Sequence, residues 1–224
     1  MRAKTLYWKG LEFYRQSFAT QAKAGPHKIG ILAGSFNPPT IAHIELAQAA
    51  SAAVDLVVCV IPRVFPHKEY SGATMEQRVE MLDATGLALP HAIASTSQGL
   101  FIDIARECRE HYGAEVQLSF ICGRDAAERI MGWDYGRPGV VEEMLGEFEL
   151  LVAPRGGHFS PPEEHRHRIH ALDVRSGHEE VSSTQVRERI ARGEDWEHLV
   201  PKKIRERVRE IYSCSEVSRN ARKR

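Results

Sequence analysis

The chain has 224 residues, 42% of them hydrophobic, with 30 Lys+Arg balanced by 30 Asp+Glu. That length is enough to bury the core of one domain, and the balanced charge argues for neither a nucleic-acid nor a membrane-surface partner. No apolar run approaches the ~18–20 residues of a membrane-spanning helix; Cys59, Cys108, Cys122 and Cys214 lack C-x-x-C spacing, and Cys59 and Cys122 sit in apolar runs, which reads as free thiols in a reducing, cytoplasmic compartment.

Residues 1–27 form a basic N-terminal extension with Tyr7, Trp8, Phe13, Tyr14 and Phe18 but no apolar core of a secretory signal. A docking helix is the plain reading, and an organellar presequence is the alternative. Lys28–Ala33 is an apolar run of strand length opened by Gly25-Pro26, and the main domain is read from here to Tyr212. Gly34 permits a tight turn with room for a ligand, and Asn37-Pro38-Pro39 is a rigid, non-helical turn. Residues 41–53 are Ala-rich without Gly or Pro and read as helix. Thr40 and His43 therefore fall at a helix start, where unpaired N–H groups and the helix dipole favour an anion. The bland reading is a capped turn with a surface histidine.

Leu56–Ile61 is a β-branched run suited to a buried parallel strand. Residues 74–85 read as helix with Met75, Val79 and Leu82 inward, and Gly86 suits its end. Residues 91–96 are a weak strand. Phe101, Ala105, Cys108 and Tyr112 mark an amphipathic helix, 116–122 a strand, 125–132 a short helix, 140–146 a helix and 148–153 a strand. Residues 156–169 read as a solvated polar loop, although His165, His167 and His170 beside Glu163 and Glu164 are metal-ligating types. Residues 171–174 are the last candidate strand. Ser182-Ser183-Thr184 then precede a helical run over 185–192. Ser or Thr is a preferred N-cap, and Arg187 shares the face of Ser183 and Thr184 in the first turn. Hydroxyls, N–H groups and one guanidinium make a second anion cradle there. Ile204, Val208 and Ile211 mark the final helix behind Pro201, and the basic tail 213–224 reads as frayed.

Repeated strand–helix units imply an α/β fold: a doubly wound, Rossmann-like parallel sheet with helices on both faces and right-handed crossovers. Ligands in such sheets bind at the carboxyl ends of the strands. Both cradles follow predicted strands, as do Lys68, Asp125 and Arg155, so all can converge there. The absence of Gly-x-Gly-x-x-Gly and of a Walker A string weighs against a dehydrogenase or a P-loop NTPase.

The pair Gly34–His43 and Ser182–Arg187 resembles the HxGH-type nucleotidyltransferases. The branch it is most similar to is the nicotinate or nicotinamide mononucleotide adenylyltransferases. Pro66-His67-Lys68, Arg78–Leu82, Gly123-Arg124-Asp125 with Trp133, and Ala153-Pro154-Arg155-Gly156 fit that branch in order. The resemblance implies transfer of AMP from ATP to a pyridine mononucleotide in NAD biosynthesis, with Mg²⁺ carried mainly by the ATP phosphates. It implies His43 and Thr40 at the α-phosphate, and Ser183, Thr184 and Arg187 on the β- and γ-phosphates. Gly34, Ser35, Phe36, Gly123 and Asp125 would complete the ATP site. Lys68, Trp133 and Arg155 would hold the acceptor, with Trp133 stacked on the pyridine ring or else part of the core. No dedicated protein metal site is implied, and a homo-oligomer is left open.

The departures are informative too. Thr40-Ile41-Ala42-His43 stands where His-x-Gly-His is common, and Asp134 follows Trp133 where a second aromatic is frequent. Gly99-Leu100-Phe101 replaces a Ser-Tyr-Thr typical of nicotinate-preferring enzymes. Without that hydroxyl, loose discrimination between the acid and amide mononucleotides is expected. A relative using another phosphate acceptor, with CTP, and a non-catalytic nucleotide sensor are the alternatives.

Overall fold

The computed structural model of the chain describes residues 10–17, 25–63, 72–154, 159–174, 177, 178 and 180–221, with 214–221 as backbone alone. Lys68 and Arg155, named above for the acceptor, lie outside the described residues.

One seven-stranded sheet organises the chain, in the order β1-β4-β3-β2-β5-β6-β7. Its strands are β1 (Glu12–Ser17), β2 (Lys28–Ala33), β3 (Leu56–Pro62), β4 (His91–Thr96), β5 (Gln117–Gly123), β6 (Glu149–Ala153) and β7 (Ile169–Ala171). The helices are α1 (Ile41–Ala50), α2 (Met75–Ala84), α3 (Phe101–Tyr112), α4 (Arg124–Gly132), α5 (Val140–Glu147), α6 (Ser183–Arg192) and α7 (Arg205–Ala221). All pairings from β4 across to β7 are parallel, and β1 alone runs antiparallel, against β4. Strand order reverses between β2 and β5: the chain winds outward through β3 and β4, then returns to the other side of β2. A crevice opens at the carboxyl ends of strands where order reverses in this way.

Strand alternation splits the apolar runs between two cores. In β3, Leu56, Val58 and Val60 pack on one face with Ile29, Ile31, Phe120 and Leu150. Val57, Cys59 and Ile61 pack on the other with Leu32, Ala47, Ala50 and Leu82. Burial on both faces is why β3 reads as a continuous hydrophobic run. Gly30 sits where β2 meets tight neighbours: a Cβ there would lie 2.8 Å from Ile121 Cδ1 and 3.1 Å from a Val54 methyl. A third cluster, with Val186, Ile190, Trp196, Leu199, Ile204, Val208 and Tyr212, joins α6 and α7 to Ala73 and Met81 of the α2 region.

Local signals account for the helix ends. Thr74 caps α2 reciprocally with Gln77: Gln77 N–H donates to Thr74 Oγ1 (3.3 Å) and Thr74 N–H to Gln77 Oε1 (2.9 Å). Ser182 Oγ accepts from Gln185 N–H (3.2 Å) to start α6, and Gly193, at φ 69°, ends it.

Three expectations are corrected. The N-terminal segment read as a docking helix contains strand β1, whose Phe13 stacks on His111 and meets Tyr112 edge-on. It covers the otherwise unpaired edge of β4, a long-range pairing with no local periodicity to announce it. The last strand is Ile169–Ala171 rather than 171–174, with Ile169 turned into the core and Leu172 N–H donating just beyond it to Val152 O (2.8 Å). The final helix runs on to Ala221, through most of the segment read as a frayed tail. No described helix is long and apolar enough to cross a membrane.

Candidate active site

The crevice between the ends of β2, β5 and β6 holds a cavity of about 250 Å³. Ser35, His43, Gly123, Pro154, Ser183, Thr184 and Arg187 all line it, so residues from four separated stretches meet as the sequence reading required. Two helix starts, of α1 and α6, face the same space.

At the first helix start, His43 is held from behind. Thr40 backbone N–H donates to His43 Nδ1 at 3.0 Å, and Thr40 Oγ1 lies 2.7 Å from the same nitrogen. A nitrogen that accepts from a backbone N–H has no proton of its own, so the geometry assigns the imidazole proton to Nε2. His43 then offers one N–H donor whose ring orientation is set by two contacts. Phe36 packs against the ring at a centroid distance of 5.0 Å. Thr40 is fully buried, and so is Phe36, at φ 45°. Neither side chain lines the cavity, and both meet the His43 ring.

The β2–α1 loop is clamped to α6. Ser183 Oγ donates to Pro38 O at 2.7 Å, and Arg187 Nη1 donates to Asn37 O at 2.6 Å. The Asn37–Pro38 peptide between these acceptors is cis. Arg187 Nη2 also donates to Thr184 Oγ1 (3.3 Å). The Ser183 hydroxyl hydrogen is thus committed to protein, which revises the expectation that it serves a phosphate. The donors at the start of α6 are instead the Ser183 and Thr184 backbone N–H groups. They precede Gln185, whose N–H is capped by Ser182, and have no acceptor within the helix. Added to the dipole and to Arg187, they make a cradle of positive character.

Some contributors had weak sequence signals. Asn37 is 3% exposed; its Oδ1 accepts from Ala73 N–H (3.2 Å) and from the Tyr212 hydroxyl of α7. Gly72, at φ +125°, packs so close that a Cβ there would meet the Asn37 amide at 2.6 Å. Arg78, buried at 4% exposure, donates to Ser35 O (3.2 Å) and Thr74 O (3.3 Å) and props the loop from below. Its signal was visible: it falls on the apolar face of α2, three residues after Met75 and four before Leu82. Glu45, on the cavity wall, lies 2.7 Å from His178 Nδ1.

A second cavity, of about 310 Å³, adjoins α3, α4 and α5 and is lined mainly by apolar groups. Trp133 lines it and is 45% exposed, so it is not a core residue. Gly99, Leu100 and Phe101 line it too, so the stretch that departs from Ser-Tyr-Thr shares a cavity with Trp133. Asp125 is exposed in the first turn of α4 and lines neither cavity. Among the described residues no group of three or more His, Cys, Asp or Glu could hold a metal ion, and His170 instead lies 3.5 Å from Glu149.

A largely parallel sheet with a crevice at its order reversal, and two helix starts facing one cavity, suit a nucleotidyltransferase of the α/β type. The chain belongs to the cytidylyltransferase-like family, which it matches over residues 31–189. Its relatives carry a narrower name. It is 31% identical over 202 residues to the "Probable nicotinate-nucleotide adenylyltransferase" of Moorella thermoacetica, covering 82% of this chain and 90% of that one. A protein of the same name from Exiguobacterium sibiricum is 30% identical, covering 82% and 96%. The fold also matches the Plasmodium falciparum nicotinic acid mononucleotide adenylyltransferase, solved with NaAD, at a TM-score of 0.57 and 19% identity over 75% of this chain and 86% of that one. A second structure of that enzyme, complexed with APC, gives a TM-score of 0.59 over 80% and 92%.

Proposed function

We propose that this protein joins the AMP moiety of ATP to nicotinate or nicotinamide mononucleotide, releasing pyrophosphate, as a step of NAD biosynthesis. One observation carries the reading. His43, with its proton on Nε2, lines the same cavity as Arg187 and the open N–H groups of Ser183 and Thr184. A donor for the reacting phosphate and a cradle for the departing ones thus share one space.

The chemistry follows from that layout. A phosphate oxygen of the mononucleotide attacks the α-phosphorus of ATP. The new P–O bond forms as the bond to the β-phosphate breaks, and pyrophosphate leaves with the electron pair. The nucleophile is already anionic at neutral pH, so no general base is needed, and catalysis rests on positioning and charge stabilisation. His43 Nε2–H donates to an α-phosphate oxygen as charge builds there. Thr40 holds the ring and its tautomer. Arg187 and the α6 start hold the β- and γ-phosphates, while Gly34, Ser35 and Gly123 leave room for the nucleotide. Lys68 and Arg155 are assigned to the acceptor phosphate on the resemblance alone, and Asp125 to indirect contact with the nucleotide. Trp133 stacks on the pyridine ring. The chain's donor set suits Mg²⁺ held by phosphate oxygens and water; when bound, the ion neutralises triphosphate charge. The buried free thiols Cys59, Cys108 and Cys122 support a reducing, cytoplasmic setting.

The test is pyrophosphate release by the purified protein with ATP or CTP against nicotinate mononucleotide, nicotinamide mononucleotide and phosphopantetheine. Release with ATP and a pyridine mononucleotide is expected. Release confined to CTP or phosphopantetheine, or none in any combination, overturns the reading.

A further inference from the structure

The wall of the Trp133 cavity carries three arginines, Arg106, Arg129 and Arg137, and a single glutamate, Glu143. The glutamate is already engaged. Arg106 Nη2 lies 3.3 Å from Glu143 Oε1, and Arg137 donates to Glu143 Oε2. These contacts, the Arg137 hydrogen bond foremost, hold the Glu143 carboxyl below its ordinary range and pair it with both guanidiniums. Arg129 has no ion pair or hydrogen bond to another described residue. It stands on α4 with Ala126, Ile130 and, just past the helix end, Trp133. Positions separated by three, four and seven residues share one helix face, and all four line this cavity. An uncommitted guanidinium is thereby set on the same wall as the exposed indole, four residues before it.

We propose that Arg129 reads the pyridine carboxylate and makes this protein prefer the acid mononucleotide to the amide. The inference rests on the function proposed above, with Trp133 as the stacking face. It replaces the loose discrimination expected from Gly99-Leu100-Phe101: that stretch lacks a hydroxyl, but α4 supplies a cation to the same cavity. A carboxylate accepts a charge-assisted, bidentate hydrogen bond from guanidinium. A carboxamide in the same place offers one neutral oxygen and an NH₂ that faces like donors. Arg129 is exposed, so solvent screening discounts the pair, and the preference falls near the lower end for hydrogen bonds to charged groups, about tenfold.

Calorimetric binding of nicotinate mononucleotide and nicotinamide mononucleotide to the full chain tests this, in wild type, Arg129→Gln and Arg129→Lys. The wild type should bind the acid about tenfold more tightly. Arg129→Gln should bring that ratio near one, and Arg129→Lys should keep part of it, since the charge remains without the fork. Equal binding by the wild type, or a ratio unmoved in Arg129→Gln, overturns the inference; so does failure to bind either mononucleotide. Pyrophosphate release is measured in parallel. A charge-dependent binding ratio without pyrophosphate release leaves Arg129 as the reader and sinks adenylyl transfer instead.

Discussion

At the scale of single residues, the division of labour around His43 yields the sharpest prediction. Its Nε2–H is the group assigned to the transition state, whereas Thr40 touches only the imidazole and the loop. His43→Ala should lower kcat by about 10²–10⁴-fold with the fold intact, the usual range for a lost proton donor or oxyanion stabiliser. Thr40→Val keeps the backbone N–H on Nδ1 and loses only the hydroxyl, so its kcat should fall by no more than about tenfold. Equal losses in the two variants, both folded by circular dichroism, would place the hydroxyl itself on the substrate. Trp133 makes the complementary case. Half-exposed on the second cavity, it should cost folding no more than about 0.5 kcal/mol when replaced by alanine. Loss of stacking, worth on the order of 1 kcal/mol, should raise KM for the mononucleotide about fivefold and leave KM for ATP within twofold. A rise in the ATP constant instead would move the pyridine site elsewhere.

At the scale of elements, α6 joins two parts of the arrangement: its first turn, proposed above for the phosphates, lines the first cavity, and its inner face is anchored by the third cluster. Val186 and Ile190 face that cluster, and Trp196, at 8% exposure, packs there with Leu199, Ile204 and Val208. Trp196→Ala should destabilise the fold by about 3–5 kcal/mol, the usual cost of emptying a large aromatic site. Urea denaturation followed by circular dichroism checks it, and a midpoint within error of the wild type would mean that α6 and α7 do not depend on this cluster. Most elements were visible in the chain itself, because apolar period and cap residues are local: β3, α2, α3 and α6 follow from their own residues. Strand β1 was not, because its one inward aromatic, Phe13, gains a partner only once α3 and β4 are assembled. Asn37 was missed as a loop support for the same reason, since Ala73 and Tyr212, which donate to it, are distant in sequence.

At the scale of the whole molecule, burial of thiols in both sheet cores makes alkaline stability a readout of the fold. Burial pushes Cys59, Cys108 and Cys122 up to about 12, from an ordinary value near 8.5. The folded state therefore keeps protons that the unfolded chain releases above pH ~8.5. Their stabilisation is complete below that pH and is lost as pH rises toward 12, by up to about 1.4 kcal/mol per pH unit for each thiol. Unfolding free energy should fall steeply between pH 9 and 10, and Cys59→Ala should flatten the slope by about that amount. An unchanged slope would show that the site admits water.

What the chain determined by itself was the set of parts: two anion-ready helix starts, a run of strand–helix units, and the residue types for phosphate chemistry, each set by a backbone turn, a cap or a period within a dozen residues. Only the tertiary structure decided their roles. Pairing of β2 with β5 brings residues 35, 43 and 123 to one cavity, and contact of α6 with the β2–α1 loop adds residue 187. Burial places Thr40 and Phe36 behind the His43 ring and off the cavity wall. The Ser183 hydroxyl goes to Pro38 O, and Glu143 pairs with Arg106 and Arg137 while Arg129, in the Trp133 cavity, has no ion pair among the described residues. The physical reason is that burial and hydrogen-bond partners set what a side chain can do, and both depend on neighbours that are remote in sequence.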